Sequence, residues 1–418
     1  MEFQETAVLI IFVLTYLLIA IHKTPWFEIK RPYVAAAGAA LMIIAGTISF
    51  TDAFDAIDFD LIFLLIGMMC MVAGLEHSGF FTKVTDLLLN QSTDRFRLMV
   101  MIMLSSAVLS AVALNDAVVL MFTPIVIKCC RKLQVNPIPF LVGTMMSANI
   151  GSIATAVGNP QNAFIVSLSG MDFLTYSRYS LPIAAACLAI SVFLVWIYYR
   201  KKLDSVDGIG DDEPDRAVNR NGLLVMMAVL VATFVAFSLS GYFDYELYQV
   251  ALVSGGVSLL VIAFSDVHDI PWAVKRVDWG TVLFFIGLFV IIGAATNTGL
   301  IHDIAQMFPG FRDGETPDVI SLSVFSAILS NLVSNVPAVM LISEMMPAAD
   351  TMLWITLAAS STLAGNTTLI GSAANMIVAE RSERYGIRFD FLRFMVIGMI
   401  VTVCTIAISD VMILVMFN

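Results

Sequence analysis

The sequence contains few charged residues and no nucleotide-binding motif. Only 13% of its 418 residues are Asp, Glu, Lys or Arg, against 59% hydrophobic residues. The phosphate-binding loop Gly-x-x-x-x-Gly-Lys-Ser/Thr is absent, and the polar connections are too short for a nucleotide-binding domain. The low content of charged residues argues against a soluble domain. The missing phosphate-binding loop argues against ATP hydrolysis by the chain itself. We therefore predict a protein that is not an enzyme.

Cysteine is scarce as well. The five cysteines are scattered and odd in number, and their spacing matches neither a metal site nor a disulfide framework. We therefore expect no bound cofactor and no firm metal site, and nothing in the sequence predicts a nucleic-acid partner. The cysteines are Cys70, Cys129, Cys130, Cys187 and Cys404.

Long apolar runs occur along nearly the whole chain and predict an all-α polytopic membrane protein embedded in lipid. The first run follows "MEFQETAVLI", which has acidic residues and no small-residue cleavage pattern, so it is interpreted as a retained span. The one long polar break, 200–221, is charged and contains Gly and Pro. It divides the chain into two similar halves, 1–199 and 222–418.

The distribution of basic residues predicts the topology. Segment 98–127 would be about 45 Å long as one helix, whereas the hydrocarbon core is about 30 Å thick. If 98–127 and 320–343 are re-entrant hairpins and the N-terminus is outside, all 22 Lys and Arg residues except Arg178 and Arg312 fall on the inside. The positive-inside rule prefers this topology, because counting every segment as a span divides these residues almost evenly.

This topology gives five transmembrane helices and one hairpin in each half, and an odd number of crossings orients the halves oppositely. Hairpin 98–127 then opens to the cytoplasm and hairpin 320–343 to the outside. Both termini are expected outside and the linker 200–221 in the cytoplasm, in a plasma (inner) membrane.

Two internal alignments support inverted repeats. "DFDLIFLLIGMMCMVAGLEHSGFF" aligns with "DWGTVLFFIGLFVIIGAATNTGLI", and "SANIGSIATAVGNPQN" aligns with "SSTLAGNTTLIGSAAN". The first alignment pairs Gly67 with Gly287 and Gly79 with Gly299, at an offset of 220 residues, and the same offset pairs Asn115 with Asn335. The second alignment pairs Thr155 with Thr368, Gly158 with Gly371 and Asn162 with Asn375.

The hairpin tips and the Gly- and Asn-rich breaks are expected to meet near the membrane midplane, where unwound backbone needs polar partners. Isolated Ser, Thr and Asn residues in membrane helices are usually packing residues, but the repeat-matched ones predict a substrate site. The predicted substrate-binding residues are Asn115, Thr155, Gly158, Asn159, Gln161, Asn162, Ser334, Asn335, Thr367, Thr368, Gly371, Ser372 and Asn375.

Asp116 is the sharpest candidate among the acidic residues inside apolar segments, the others being Glu76 and Asp410. Burial at a hairpin tip would favour the neutral, protonated form of Asp116. We therefore interpret Asp116 as the carboxylate that binds the coupling ion, H⁺ or Na⁺. A sodium ion would lie near Asn115, Asp116 and Asn159. None of the apolar segments contains Lys or Arg.

Several stretches resemble signatures of the ion transporter superfamily, in particular its arsenite efflux permease branch with the silicon efflux permeases, and the citrate-transporter-like proteins. They are "LEHSGFF", "NDAVVLMFTPIVI", "SIATAVGNPQN", "SNLVSNVPAVML" and "GNTTLIGSAANMIVAE". The resemblance implies a secondary transporter with an elevator-like movement, often a homodimer. Some arsenite permeases associate with a separate ATPase subunit, and the sequence leaves that partner open.

The leading hypothesis is therefore proton-coupled export of arsenite or a similar small oxyacid or anion. Two alternatives stay open, a Na⁺/H⁺ antiporter and a sodium-coupled carboxylate or anion symporter. The tips "LND" and "SNV" depart from the Ser-Asn-Thr of dicarboxylate symporters. A channel or membrane scaffold is a third class, which the inverted repeat disfavours.

Overall fold

The computed structural model describes residues 3–20, 30–91, 94–203, 218–243, 245–265, 267–306, 318–346 and 350–417. These residues form α-helices joined by short turns, with one short 3₁₀ helix at Val267–Asp269 and no strand. The middle of the linker, 204–217, and Arg312 lie outside the described residues. The predicted all-α fold is confirmed.

Among the described residues, ten α-helices precede the linker and ten follow it. The first ten are α1 (Phe3–Ala20), α2 (Arg31–Ile44), α3 (Phe50–Asp55), α4 (Phe59–His77), α5 (Phe80–Gln91), α6 (Arg95–Val112), α7 (Asn115–Lys132), α8 (Pro137–Ser152), α9 (Pro160–Ser169) and α10 (Phe173–Tyr199). The second ten are α11 (Arg220–Phe243), α12 (Leu247–Ser265), α13 (Ile270–Arg276), α14 (Trp279–Asn297), α15 (Leu300–Gln306), α16 (Val319–Val333), α17 (Asn335–Ser343), α18 (Thr351–Ala364), α19 (Ala373–Glu383) and α20 (Phe391–Phe417).

Seven of the described helices are long and apolar enough to cross a membrane, namely α4, α6, α10, α11, α12, α14 and α20. Helices α1, α2, α16 and α18 are shorter but also apolar. Many of their large apolar side chains are exposed, as a lipid-facing surface requires, because lipid tails solvate them as well as a protein core does. The chain is a multi-pass membrane protein.

The two halves repeat one order of helices, and equivalent helices begin and end in equivalent ways. Asp58 and Asp278 cap α4 and α14, accepting from the backbone N–H groups of Leu61 (2.9 Å) and Thr281 (3.1 Å). The turns that follow these helices contain Gly79 and Gly299, with φ of 83° and 77°, a conformation that favours glycine. The opposite orientation of the halves across a membrane stays a prediction.

Helices of the two halves pack crosswise, α4 against α12 and α14 against α2. Glycine permits both close approaches, because a Cβ at Gly67 would lie 2.3 Å from the carbonyl oxygen of Ala251. A Cβ at Gly287, the repeat partner of Gly67, would lie 2.6 Å from the carbonyl carbon of Ala35. The aligned glycines therefore occupy equivalent helix crossings.

The two long apolar segments are each divided into two helices. Segment 98–127 lies in α6 and α7, which break at Ala113 and Leu114, and segment 320–343 lies in α16 and α17, which break at Ser334. We call these pairs the first and second hairpin. A turn at 153–159 separates α8 from α9, and a turn at 365–372 separates α18 from α19. We call these turns the first and second break.

The helices pack as two groups. Helices α1, α2, α4, α11, α12 and α14 contact mainly one another, and we call them the scaffold. The hairpins pack on the broken helices, with α6 and α7 on α8, α16 on α18, α7 on α19 and α17 on α9, and α10 packs on α20. We call this second group the hairpin body.

The scaffold crossing at Gly67 provides a stability test. Gly67→Ala places a methyl group against the backbone of α12, so we expect a loss of about 1–3 kcal/mol of unfolding free energy. Gly256→Ala, on the exposed face of α12 where a Cβ meets nothing within 4 Å, is the matched control. Thermal unfolding in detergent should show a lower Tm for Gly67→Ala alone. Equal melting temperatures would contradict the close approach.

Candidate functional site

A cavity of about 740 Å³ lies between the scaffold and the hairpin body. Both hairpin tips reach it, through Asn115 and Asp116 in the first and Ser334 and Asn335 in the second. The broken helices add polar groups from the start of α9 and from the second break, and the scaffold adds the starts of α2 and α14. We call this space the central cavity. All four helix interruptions of the two halves therefore converge on it.

Six of the predicted site residues line the central cavity, and the other eight do not. The lining residues are Asn115, Asp116, Gln161, Ser334, Asn335 and Ser372. The residues behind the wall are Thr155, Gly158, Asn159, Asn162, Thr367, Thr368, Gly371 and Asn375. Most of their described hydrogen bonds are with the breaks, the hairpins and the helix ends next to them. The predicted residues therefore form one polar region, which contains both the cavity wall and the residues that support it.

The first break is held by its own side chains. Asn159 caps α9 by accepting from the N–H of Asn162 (2.8 Å), and its Nδ2 donates to Ser152 Oγ (2.8 Å). Asn162 Nδ2 donates to the Ser152 carbonyl (2.9 Å), while Thr155 Oγ1 donates to the Ala111 carbonyl in the first hairpin (2.6 Å). Of the three residues near which a sodium ion is predicted, Asn115 and Asp116 line the cavity, whereas Asn159 caps α9 behind its wall.

Gly158 joins the first break to the first hairpin tip. Its carbonyl oxygen accepts from the backbone N–H of Asn115 (2.9 Å), the first residue of α7. A Cβ at Gly158 would lie 2.2 Å from the Ser152 carbonyl oxygen, so no larger residue fits between the two turns. The start of α7, where backbone N–H groups lack partners within the helix, is thereby fixed at the cavity.

The second break repeats this arrangement. Asn375, the repeat partner of Asn162, donates through Nδ2 to the carbonyls of Gly365 (2.8 Å) and Thr368 (3.0 Å). Thr367 Oγ1 donates to Thr402 Oγ1 on α20 (3.1 Å). With its amide nitrogen turned toward them, Asn335 donates to the carbonyls of Ser361 (3.2 Å) and Gly371 (3.0 Å).

Asn149, at the end of α8, connects the two halves, and the sequence analysis did not select it. Its Nδ2 donates to the Oδ1 atoms of Asn366 (2.9 Å) and Asn375 (3.2 Å), and its Oδ1 accepts from Asn115 Nδ2 (3.3 Å) and Ser372 Oγ (3.0 Å). All four partners are buried. The signal was present, because Asn149 falls inside the aligned stretch, where its partner position is Thr362.

Thr362 is the counterpart of this junction in the second half. Its Oγ1 accepts from Asn159 Nδ2 (3.4 Å) and from Gln161 Nε2 (3.3 Å), both from the first half. In each half, one polar residue of the broken helix, Asn149 or Thr362, therefore hydrogen-bonds to residues of the other half. The site is a single polar junction rather than two separate breaks.

Arg31 was placed in a cytoplasmic loop by the sequence analysis, because the apolar run begins at 33. The structure instead begins α2 at Arg31 and places its half-buried side chain at the central cavity. Its Nη1 donates to Ser334 Oγ (3.3 Å) and its Nη2 to the Ile370 carbonyl (3.4 Å). The residues predicted for the site include no basic side chain, and the structure adds Arg31 to them.

Asp116 follows Asn115 in the first turn of α7 and is half-buried at the cavity wall. It interacts electrostatically with Arg31 and with Asp278, which precedes α14. Beside it, Asn115 Oδ1 is buried and accepts no hydrogen bond from any described residue. Asp116 therefore contributes a carboxylate to the cavity wall, and the Oδ1 atom of its neighbour Asn115 lies within that wall without a hydrogen-bond donor from the described residues.

A cavity shared by two hairpin tips and two broken helices is the arrangement of membrane transporters with internal repeats. The comparison with protein families agrees, since the family described as citrate transporter (CitMHS) matches residues 16–359. The chain belongs to this family, and the resemblance to the ion transporter superfamily is confirmed.

Similar proteins extend over almost the whole chain. An uncharacterized transporter of Mycobacterium tuberculosis (strain ATCC 25618 / H37Rv) is 31% identical over 96% of both chains. The silicon efflux transporter LSI3 of Oryza sativa subsp. japonica is 27% identical over 88% of both chains. The YdaH transporter of Alcanivorax borkumensis, whose crystal structure has an unusual topology, has a similar fold, with a TM-score of 0.57 at 12% identity over 98% of this chain and 97% of its own.

Asn149→Ala tests the junction between the halves. It leaves several buried amide groups without a partner, each costing about 1–3 kcal/mol, so both the Tm and ligand binding should fall. Ser147→Ala, whose hydroxyl bonds only to carbonyls of its own helix α8, is the matched control. Differential scanning fluorimetry in detergent measures the difference. A Tm for Asn149→Ala as high as that of the control would show that the junction does not hold the halves together.

Proposed function

We propose that the chain is a secondary active transporter that exports arsenite or a similar small oxyacid and is coupled to protons through Asp116. The single observation that carries the proposal is the composition of the cavity wall at the hairpin tips. Asn115, Asn335 and Gln161 offer uncharged hydrogen-bonding groups, and one carboxylate lies beside them. A small polyhydroxylated acid needs such donors and acceptors rather than a high local charge.

The free acceptor at Asn115 supports this substrate class. A buried carbonyl oxygen without a partner costs free energy, and because Asn115 lines the cavity, rotation of its side chain toward a bound hydroxyl group would satisfy that oxygen. The similarity to a silicon efflux transporter points to a related cargo, because silicic and arsenous acids are both small, neutral and rich in hydroxyl groups. The volume of about 740 Å³ is large enough for such a molecule together with its water.

Arg31 favours a second candidate, an anionic substrate. A guanidinium group at the cavity is a partner for a carboxylate or another oxyanion. Sodium-coupled uptake of a carboxylate, with the ion near Asn115 and Asp116, is therefore kept as the alternative, and a Na⁺/H⁺ antiporter needs the same two residues.

The direction of opening follows from the predicted topology. Lys30, Asp278 and Glu380, at the mouth of the cavity, all belong to connections assigned to the inside by the distribution of basic residues. We propose that the described state is open to the cytoplasm, in an inner membrane with both termini outside. Movement of the hairpin body against the scaffold would then carry the site across, in a homodimer or with an ATPase subunit bound to the cytoplasmic face.

Everted membrane vesicles test the coupling. An imposed proton gradient should drive uptake of radiolabelled arsenite by the unmodified protein. Asp116→Asn keeps the size of the side chain and removes its proton, so binding should survive while gradient-driven uptake is lost. Wild-type accumulation by Asp116→Asn would contradict the coupling role. Acceleration by sodium, measured as dequenching of a pH dye, would favour the antiporter instead.

The asparagines should behave differently from Asp116. Asn115→Ala removes an amide that faces the ligand and contacts Asn149, so affinity should fall by about 5- to 150-fold, equivalent to about 1–3 kcal/mol. Asn335→Ala should resemble it, because Asn335 is its repeat partner. Binding in detergent and uptake in proteoliposomes, measured for all three variants, separate the roles. Unchanged affinity in both alanine variants would remove the asparagines from the substrate site.

A further inference from the structure

Arg31 connects the two groups of helices across the central cavity. It is the first residue of α2, which packs on α1 and α14 in the scaffold. Its two hydrogen-bond acceptors are in the hairpin body, Ser334 Oγ at the tip of the second hairpin (3.3 Å) and the Ile370 carbonyl in the second break (3.4 Å). One side chain therefore ties the scaffold to the moving parts of a transporter.

Asp116 adds the first hairpin to this connection. It lines the same cavity as Arg31, and the opposite charges attract each other. Because both side chains are half-buried, water screens their attraction less than it would at an open surface. Arg31 thus holds the second hairpin tip by a hydrogen bond and the first hairpin tip by charge.

The backbone at the Arg31 contact is strained. Ser334 has a φ of 82°, a backbone conformation that a residue with a side chain rarely adopts. Leu114, which precedes α7 as Ser334 precedes α17, has an ordinary φ of −55°. Such strain persists only where neighbouring contacts stabilise it, and Arg31 supplies one of these contacts at Ser334.

We propose that Arg31 is a positioning residue that couples the protonation of Asp116 to movement of the hairpin body. While Asp116 is ionised, Arg31 holds both tips against the scaffold and keeps the cavity open on its side. A proton taken up while the cavity is open to the outside makes Asp116 neutral, weakens its attraction to Arg31 and leaves the hairpin body free to return. When the cavity opens to the cytoplasm the proton is released there, and the ionised Asp116 is held by Arg31 again. This inference rests on the proposed proton site at Asp116.

The other charged groups at the cavity are less able to serve this role. Among the described residues they are Lys30, Asp278 and Glu380, and all three are exposed at its mouth. Asp278 is also engaged in capping α14 through Thr281. Helices α4, α5, α6, α8 and α19 pack on α7, and of their described charged side chains only Glu380 lines the cavity. Arg31 is the cation that contacts the hairpin body.

The test measures the position of the hairpin body directly. Spin labels at Val253→Cys in the scaffold and Ile328→Cys in the hairpin body, both exposed positions, report one distance per chain by double electron–electron resonance. The half-buried Cys404 is replaced by Ser throughout, and the other native cysteines are buried. Labelled protein is diluted with unlabelled protein in proteoliposomes, so that only distances within a chain are recorded.

The background protein carries the two spin labels and Cys404→Ser but no other change. In this protein, the ratio of molecules with the cavity-open distance to molecules with any other distance should fall on the order of tenfold from alkaline to acidic buffer, the change that one pKa unit represents. Arg31→Gln and Asp116→Asn should each lower the open fraction in alkaline buffer and abolish its pH dependence. Arg31→Lys, which keeps the charge, should retain part of the dependence. Lys30→Gln, next to Arg31 at the same cavity, should behave like the background protein.

The outcomes separate the two proposals. If Asp116→Asn loses the pH dependence while Arg31→Gln keeps it, the role of Arg31 is wrong and the proton site stands. If Asp116→Asn keeps the dependence, the proton site itself is wrong. A background protein whose distances do not respond to pH overturns both.

Discussion

Backbone groups freed where a helix breaks inside an apolar protein must find hydrogen-bond partners, and most of the polar chemistry of this molecule follows from that constraint. Asn162 and Asn375 each bind the carbonyl that their own broken helix leaves free. Asn149 then joins the breaks of both halves into one junction. Because these amides bind the backbone, the cavity wall is left to other polar groups, at the hairpin tips, at Gln161 and at Ser372. In the proposed function, these groups form the substrate site.

The glycines and asparagines at the helix crossings and breaks were predictable from sequence, because their positions are encoded locally. Aligned glycines mark equivalent helix crossings and turns, as Gly67 and Gly287 show, and aligned asparagines mark equivalent breaks. Which of these residues face the cavity was not predictable, because that depends on how the two halves cross. Arg31 was missed for a related reason. The limits of a predicted span are set by its run of apolar residues, and Arg31 lies just before such a run. Its hydrogen-bond acceptors are more than 300 residues away along the chain, so no local pattern relates them to Arg31.

The central cavity combines two kinds of recognition. Amides at both tips suit a neutral oxyacid, whereas Arg31 and Asp116 form a charged pair whose balance changes with one proton. A buried charge is expensive to move through a low-dielectric interior unless it is neutralised. A cation on the scaffold opposite a carboxylate on the hairpin body therefore links the charge of the site to the position of that body. In the proposed mechanism, this link makes the transport of an uncharged cargo depend on protons.

The proposed function requires the substrate to bind in the central cavity. Crystals grown with saturating arsenite and measured at the arsenic absorption edge locate that element without reliance on the shape of the density. We expect one anomalous peak in the central cavity, within hydrogen-bonding distance of Asn115 and of the second hairpin tip at Ser334 and Asn335. A cavity without a peak, or arsenic bound only at the lipid-facing surface, would contradict the proposal that this polar junction is an oxyacid transport site.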